Sequence, residues 1–280
     1  MPIDTKRSRA VFQRLERDLM KLSSKASAKS VHRFRTGTRR VQILLAELSP
    51  KLDRSEKKLL KLLNGIRKRA GKLRDLDIQL TALRSLKVPH DPRHKTQLVK
   101  RLIEVRGQQE KKLRKASDGQ TIREICKRLK RAARRFRPES ARDPLAAAKS
   151  MLDRFYTAAG PLNEESLHRF RILSKRARYA AEFAPPASAS AFITELKKVQ
   201  DALGDWHDWL TLTETASEEL GNANKSALVS ELRNVTRTKF QRAVAVLSQM
   251  RSRQTPHPRP AAQGPARAPE MTAQQNLPAA

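Results

Sequence analysis

The sequence predicts an all-α protein built as two similar four-helix bundles related by a pseudo-two-fold axis. Three observations lead there. Strong helix formers (Leu, Ala, Arg, Lys and Glu) dominate, and glycine is scarce, with nine in 280 residues. Apolar residues return at three- and four-residue spacing, as in Leu59, Leu62, Leu63 and Ile66, then Leu73, Leu76, Leu80 and Leu83, and the alternation typical of strands is absent. Two blocks of sequence recur in the same order, which indicates an internal duplication.

Taken in order, helices are expected at about 8–23, 28–48, 54–86, 93–116, 120–137, 143–159, 164–184, 189–219 and 223–250. Ser49-Pro50 separates the second from the third. The stretch Pro89 to Pro92 then ends the third, and Asp118-Gly119 the fourth. Pro138, Gly160-Pro161, Pro185-Pro186 and Gly221 divide the rest. Each half carries about four long helices with short connections, which suits antiparallel bundles. One domain is expected over 5–250, its first bundle at about 5–137 and its second at about 140–250. From 252 the chain turns to Pro, Ala and Gln and is expected to be a disordered tail to 280.

Composition bears on partners. Sixty Lys and Arg stand against 28 Asp and Glu, a formal net charge of +32. Such a surface repels itself and gains from a polyanion. The single cysteine, Cys126, rules out an intramolecular disulfide and suits a reducing compartment. Cys126 reads as structural, although the positive charge around it could lower its pKa. The N-terminus "MPIDTKRSRA" lacks the apolar stretch of a secretory signal, and no apolar run is long enough to span a bilayer. A cytoplasmic protein without membrane insertion is expected.

The duplication carries the functional argument. "VHRFRTGTRR" at 31–40 returns as "LHRFRILSKR" at 167–176, so His32 falls on His168, Arg35 on Arg171, Arg39 on Lys175 and Arg40 on Arg176. "AGKLRDLDIQL" at 70–80 lies on "LGDWHDWLTLT" at 203–213, so Gly71 falls on Gly204 and Asp75 on Asp208. On a helical wheel Phe34, Val41, Leu45 and Leu48 form a core stripe, while His32, Arg35 and Arg39 line the opposite face. In the second copy Phe170, Ala177, Ala181 and Ala184 oppose His168, Arg171, Lys175 and Arg178. Like charges three and four residues apart repel, and neither ten-residue motif holds an acidic residue. A lone charge run would be read as a solvated face. A basic row written twice is better explained by an external row of anions, which arginine grips bidentately through its planar fork. Lys175 supplies charge without the fork. Both histidines are expected to be neutral among so many arginines and to gain a proton beside phosphate, so that binding strengthens modestly as pH falls.

At these blocks the sequence resembles the CHAD family, the conserved histidine α-helical domain, over roughly residues 5–250. The resemblance rests on "VHRFRTGTRR", "LHRFRILSKRARYAAEF", "AGKLRDLD" and "LGDWHD". It implies two four-helix bundles around a basic central surface or pore that binds inorganic polyphosphate, and in some members targeting to polyphosphate granules. On that pattern His32, Arg35, Arg39 and Arg40 would bind phosphate in the first copy. His168, Arg171, Lys175, Arg176 and Arg178 would do so in the second, with Tyr179 nearby. Gln42 departs from the pattern by standing where the second copy has Arg178, and Gly37 weakens its helix by about 1 kcal/mol relative to Ala. The first copy is therefore expected to grip less firmly.

Other functions fit less well. Phosphoanhydride chemistry usually needs a metal held by carboxylates. Asp75 and Asp77 point to different helix faces, and Asp205 and Asp208 read better as partners of nearby Lys and Arg. A P-loop, a dinucleotide turn and a Cys/His zinc pattern are absent. The expectation is a binding protein with no catalytic step, metal or cofactor. Nucleic acid, bound non-specifically through counterion release, is the alternative partner. Against it stands an aromatic content of 4%, with Trp206 and Trp209 at apolar repeat positions, whereas base stacking needs exposed rings. Two more basic stretches could extend an anion track or be plain solvated faces: 66–74, with Arg67, Lys68, Arg69, Lys72 and Arg74, and 123–137, with Arg123, Lys127, Lys130, Arg134 and Arg137.

Overall fold

A computed structural model describes residues 5–49, 51–88, 91–137, 143–157, 160–221 and 226–254. Among these residues the chain forms nine helices. They are α1 (Thr5–Ser24), α2 (Ala28–Ala46), α3 (Arg54–Ser85), α4 (Pro92–Ala116), α5 (Gly119–Arg135), α6 (Pro144–Thr157), α7 (Glu164–Ala181), α8 (Pro186–Leu220) and α9 (Ala227–Gln254). Each expected helix is present, with ends shifted by a few residues. The last runs to Gln254, three residues into the stretch read as a tail; the remainder of that tail lies outside the described residues.

Local chemistry sets the helix ends. Ser27 accepts a hydrogen bond from the Ser30 N–H and starts α2, and Asp118 does the same for Thr121 at α5. Asp53 with Glu56, and Asn163 with Ser166, close reciprocal capping boxes at α3 and α7. Pro92 and Pro186 open α4 and α8, where a missing N–H costs nothing. Gly221, at φ +63°, ends α8 in a conformation that a side chain would strain.

The halves repeat their packing. α1 on α2, α2 on α3 and α3 on α4 return as α6 on α7, α7 on α8 and α8 on α9. The first half adds α5, packed on α1 and α3. Between halves α2 meets α7 and α3 meets α8. Equivalent helices touching equivalent helices is what a pseudo-two-fold relation requires. The bundles share one core: Phe12, Phe34, Leu63, Leu129, Leu152, Phe170, Trp206 and Leu247 belong to a single buried cluster drawn from both halves. A smaller cluster holds the far ends of α3, α4, α8 and α9 around Leu83, Leu98, Leu212 and Leu232. There Asp91, preceding α4, accepts from Ser226 Oγ at 2.9 Å and from the Leu228 N–H at 3.1 Å, which fastens the start of α9.

The stripes read from the sequence are the buried ones. Phe34, Val41, Leu45 and Leu48, and Phe170, Ala177, Ala181 and Ala184, are all within 2% of full burial. Each such Leu or Phe contributes about 1.5–3 kcal/mol. Because these faces are turned inward, His32, Arg35, Arg39 and their counterparts are turned away from the core. Gly37 proves to have a packing role: a Cβ there would stand 3.1 Å from Leu15 Cδ1, so its absence lets α1 lie close against α2.

Candidate polyanion-binding site

The two basic rows converge through the helices that carry them. Arg35 and Arg39 project from α2, Arg67 and Arg74 from α3, Arg171 and Lys175 from α7. His207 and Asp208 come from α8, facing Asp75 of α3. Arg35 and Arg39 are close enough to Arg171 and Lys175 for their charges to act on one another. His32 feels Arg74, Arg35 and Arg178, while His168 sits 5.4 Å from His207, ring to ring. His207 in turn faces Arg171 and Lys175. A continuous series of charged side chains therefore runs from His32 to His168 across the junction of the halves.

Electrostatics in this cluster differ from the sequence expectation in three ways. First, the basic rows have acidic neighbours from other helices. Asp208 lies 3.9 Å from Arg171, and Asp75 faces Arg35, Arg171 and Lys175. Desolvation pushes both carboxyls up, against the pull of these cations. Second, burial adds to the arginines in disfavouring the charged form of His32, and His207, outside the two motifs, is affected more. Partial desolvation, then Arg74 and Arg35, lower His32, while burial and then Arg171 bring His207 down to about 4. Third, Lys175 is more than a point charge. Burial first, then Arg171 and Arg39, bring its ammonium down to about 7. Burial also lowers Arg35, Arg67 and Arg171, which stay charged.

The last arginine of each motif acts across the junction. Arg40 of α2 bonds Glu182 beyond α7 at 2.7 Å, and Arg176 of α7 bonds Glu47 beyond α2. Arg178 also reaches Glu182 at 3.4 Å. These reciprocal pairs tie the halves together and partly neutralise three residues that the resemblance assigns to phosphate. Tyr179 is 7% exposed, with the Arg178 guanidinium 4.8 Å and that of Arg40 5.9 Å from its ring centre.

The family model of the CHAD domain matches residues 7–217. The chain belongs to the CHAD family. No curated protein matches it by sequence. Among solved structures, PptA from Streptomyces chartreusis is 17% identical with a TM-score of 0.66, the match covering 89% of this chain and 99% of that one. The CHAD domain from the plant Ricinus communis is also 17% identical, with a TM-score of 0.58 over 85% of this chain and 88% of that one. At such identity the likeness speaks for the fold.

In this CHAD domain two cavities adjoin the central cluster, and Tyr179 lines both. One, of about 570 Å³, lies among α1, α2 and α7 and includes His32, Thr36, Arg40 and Arg178. The other, of about 320 Å³, includes Arg39, Gln42, Ile43, Arg67, Ile172 and Arg176. In the register of the repeat, Ile172, Arg176, Gln42 and Ile43 are the counterparts of Thr36, Arg40, Arg178 and Tyr179. Four positions of each lining thus correspond, and each mouth is built from both copies, with α1 completing the first and Arg67 of α3 the second. The two motifs are therefore not separate grips: Arg178 lines the mouth of His32, and Gln42 lines the other.

Other candidates fall elsewhere. Asp77 pairs with Arg106 at 2.7 Å and Asp205 with Lys239 at 2.8 Å, so neither joins its neighbouring aspartate. Among the described residues no three His, Cys, Asp or Glu side chains gather as a metal site. Cys126 is half-buried; its thiol is pushed up by burial and by Glu16, contrary to the lowering that surrounding charge could have caused. Of the 66–74 stretch, Arg67 and Arg74 join the cluster, while Lys68, Arg69 and Lys72 face solvent. Arg123, Lys127, Lys130 and Arg134 are exposed along α5 and Arg137 just beyond it, with Lys130 3.4 Å from Glu16. The sequence reading missed Arg14, Arg17 and Lys21 of α1, which line the larger mouth. Their i, i+3, i+7 spacing matches that of His32, Arg35 and Arg39, and was available as a signal.

Proposed function

We propose that this CHAD domain binds inorganic polyphosphate without a catalytic step, through the cluster of Arg35, Arg39, Arg171 and Lys175 and the two mouths beside it. One observation carries the reading: the basic rows of both copies, Asp75 and Asp208 included, meet at a single junction of α2, α3, α7 and α8. Four cations so placed repel one another, and two carboxylates offset only part of that. A flexible line of closely spaced phosphates completes the neutralisation with no need to read bases. His32, His168, Arg40, Arg176, Arg178 and Tyr179 flank its path. Attachment to polyphosphate granules would follow from the same surface.

Non-specific nucleic-acid binding is the second reading, supported by the net charge. The rings available for stacking speak against it, since Trp206 is 1% exposed and Tyr179 7%. No helix among the described residues is long and apolar enough to cross a membrane. The absence of a catalytic step is supported by Asp77 and Asp205 being held in ion pairs away from the cluster.

Titration with long-chain polyphosphate and with DNA at equal charge, in about 0.15 M salt, separates the readings, because exposed pairs are well screened there. Polyphosphate is expected to bind about tenfold tighter or better, and equal affinity would favour a generic polycation. Phosphate release at catalytic rates from polyphosphate with Mg²⁺ would overturn the non-enzymatic part.

A further inference from the structure

Apart from Thr36 and Tyr179, the larger mouth is walled by charged or ionisable side chains, and half of its cations come from a helix outside the repeated motif. Arg14, Arg17 and Lys21 lie on one face of α1, and all three are exposed. Among the described residues none of them forms an ion pair. They face Arg33, Arg40 and Arg178, the last two shared with Glu182. Asp18, largely buried in the same wall, is the one carboxylate lining this cavity. Even with Glu182 counted beside Asp18, six cations face two carboxylates, which leaves a positive surplus in a concave space.

The fold does not require this row. In the register of the repeat, buried Phe12 falls on buried Ala148, and Leu15 and Leu19 fall on Met151 and Phe155, which pack on the same core. The same register puts Ser150 and Asp153 of α6 where α1 has Arg14 and Arg17. The second half thus builds the same helix pair without these charges. The row is close to the mouth because Gly37, where the second copy has Leu173, brings α1 against α2. Exposed, unpaired like charges at i, i+3 and i+7 destabilise a helix slightly unless an anion lies along them.

We propose that the α1–α2–α7 cavity is an anchoring subsite for a short run of linear condensed phosphate, held by Arg14, Arg17 and Lys21, and that it makes one mouth of the phosphate path the strong end. This rests on the polyphosphate reading and adds to it a polarity: a chain is gripped at this end and only guided at the other, where Gln42 replaces Arg178 and no row from α1 is present. A chain of a few phosphates, too short to reach both mouths, should occupy this cavity first.

The test compares the full chain with a triple variant, Arg14→Gln, Arg17→Gln and Lys21→Gln. A control loses the same charge from exposed positions on α4, through Lys111→Gln, Lys112→Gln and Lys115→Gln. Calorimetric titration uses tripolyphosphate and long-chain polyphosphate as probes. The α1 variant is expected to weaken tripolyphosphate binding about tenfold or more and long-chain binding several-fold, and the control to change either by less than about threefold. Circular dichroism melting checks that each variant is folded. A further variant, Arg14→Lys with Arg17→Lys, retains the charge and should stay within about threefold of wild type. If it falls as far as the glutamine variant, anchoring by charge is wrong. If wild type prefers polyphosphate to DNA and the α1 variant behaves like the control, the proposed function stands and the anchor falls. If wild type shows no such preference, the proposed function itself falls.

Discussion

The two mouths of this domain correspond at four lining positions and differ in the charge that those positions and their neighbours supply. The mouth at His32 has Thr36, Arg178 and Tyr179 where the other has Ile172, Gln42 and Ile43, and its cavity is about 570 Å³ against about 320 Å³. The difference teaches how a duplicated scaffold diverges. Because α2 packs on α7, each mouth takes residues from both copies. A substitution at the C-terminal end of either motif helix, as at 42 or 178, therefore changes the mouth opposite its own histidine. Gln42, which looks in the sequence like a defect of the first motif, lines the mouth across from His32. The centre has kept more of its symmetry, with Arg35 and Arg171, and Asp75 and Asp208, facing one another across the junction.

The largest effect is expected at that centre. Arg35→Ala with Arg171→Ala should weaken long-chain polyphosphate binding by more than tenfold and reduce the slope of log K against log salt by about two, one for each lost phosphate contact. Titration at several salt concentrations reads both, and an unchanged slope would remove the centre from the path. Next comes an exchange between mouths. Arg178→Gln should cost several-fold in affinity, Gln42→Arg should gain a similar factor, and the double variant should return near wild type. Additive losses in all three would mean that the mouths are not interchangeable parts of one site.

A smaller effect separates Lys175 from its counterpart Arg39. Lys175 faces Arg171, Arg39, Asp208 and Arg35 and titrates near 7, whereas a guanidinium stays charged. An anion favours the protonated form, so wild-type affinity should fall as pH rises from 6 to 8, and Lys175→Arg should flatten that profile. The free protein should move the other way. Lys175 is depressed on folding, so between pH 7 and its ordinary value the unfolded chain holds more protons, and stability from this group rises with pH. Thermal melts of wild type and Lys175→Met across that window check the sign. The smallest contrast lies between two equivalent glycines. A Cβ at Gly71 would collide with Arg35 Nη1, whereas at Gly204 it would meet nothing within 4 Å. Gly71→Ala should displace the Arg35 guanidinium, which now donates to the Arg67 carbonyl at 3.3 Å, and weaken binding about two- to threefold. Gly204→Ala should leave binding unchanged.

Much of this was legible in the chain itself. Helical periodicity gave nine helices, because burying one apolar stripe per helix leaves a regular trace along the sequence. The duplicated His-x-x-Arg blocks named the helices of the candidate site, since the face opposite a core stripe must be turned outward. Ion pairs between distant residues left no such trace. Arg40 with Glu182 and Arg176 with Glu47 join residues whose proximity depends on how α2 and α7 pack, and no local pattern encodes that packing.

The sequence by itself determined the helices, their duplication and the excess of positive charge, because each is a property of residues close together in the chain or of their sum. Which charges share a cleft, the lowering of the half-buried Lys175 ammonium to about 7, and the approach of the α1 arginines to one mouth were settled only by packing. Those are consequences of distance and desolvation between helices far apart in sequence, and both arise only when the helices are packed together.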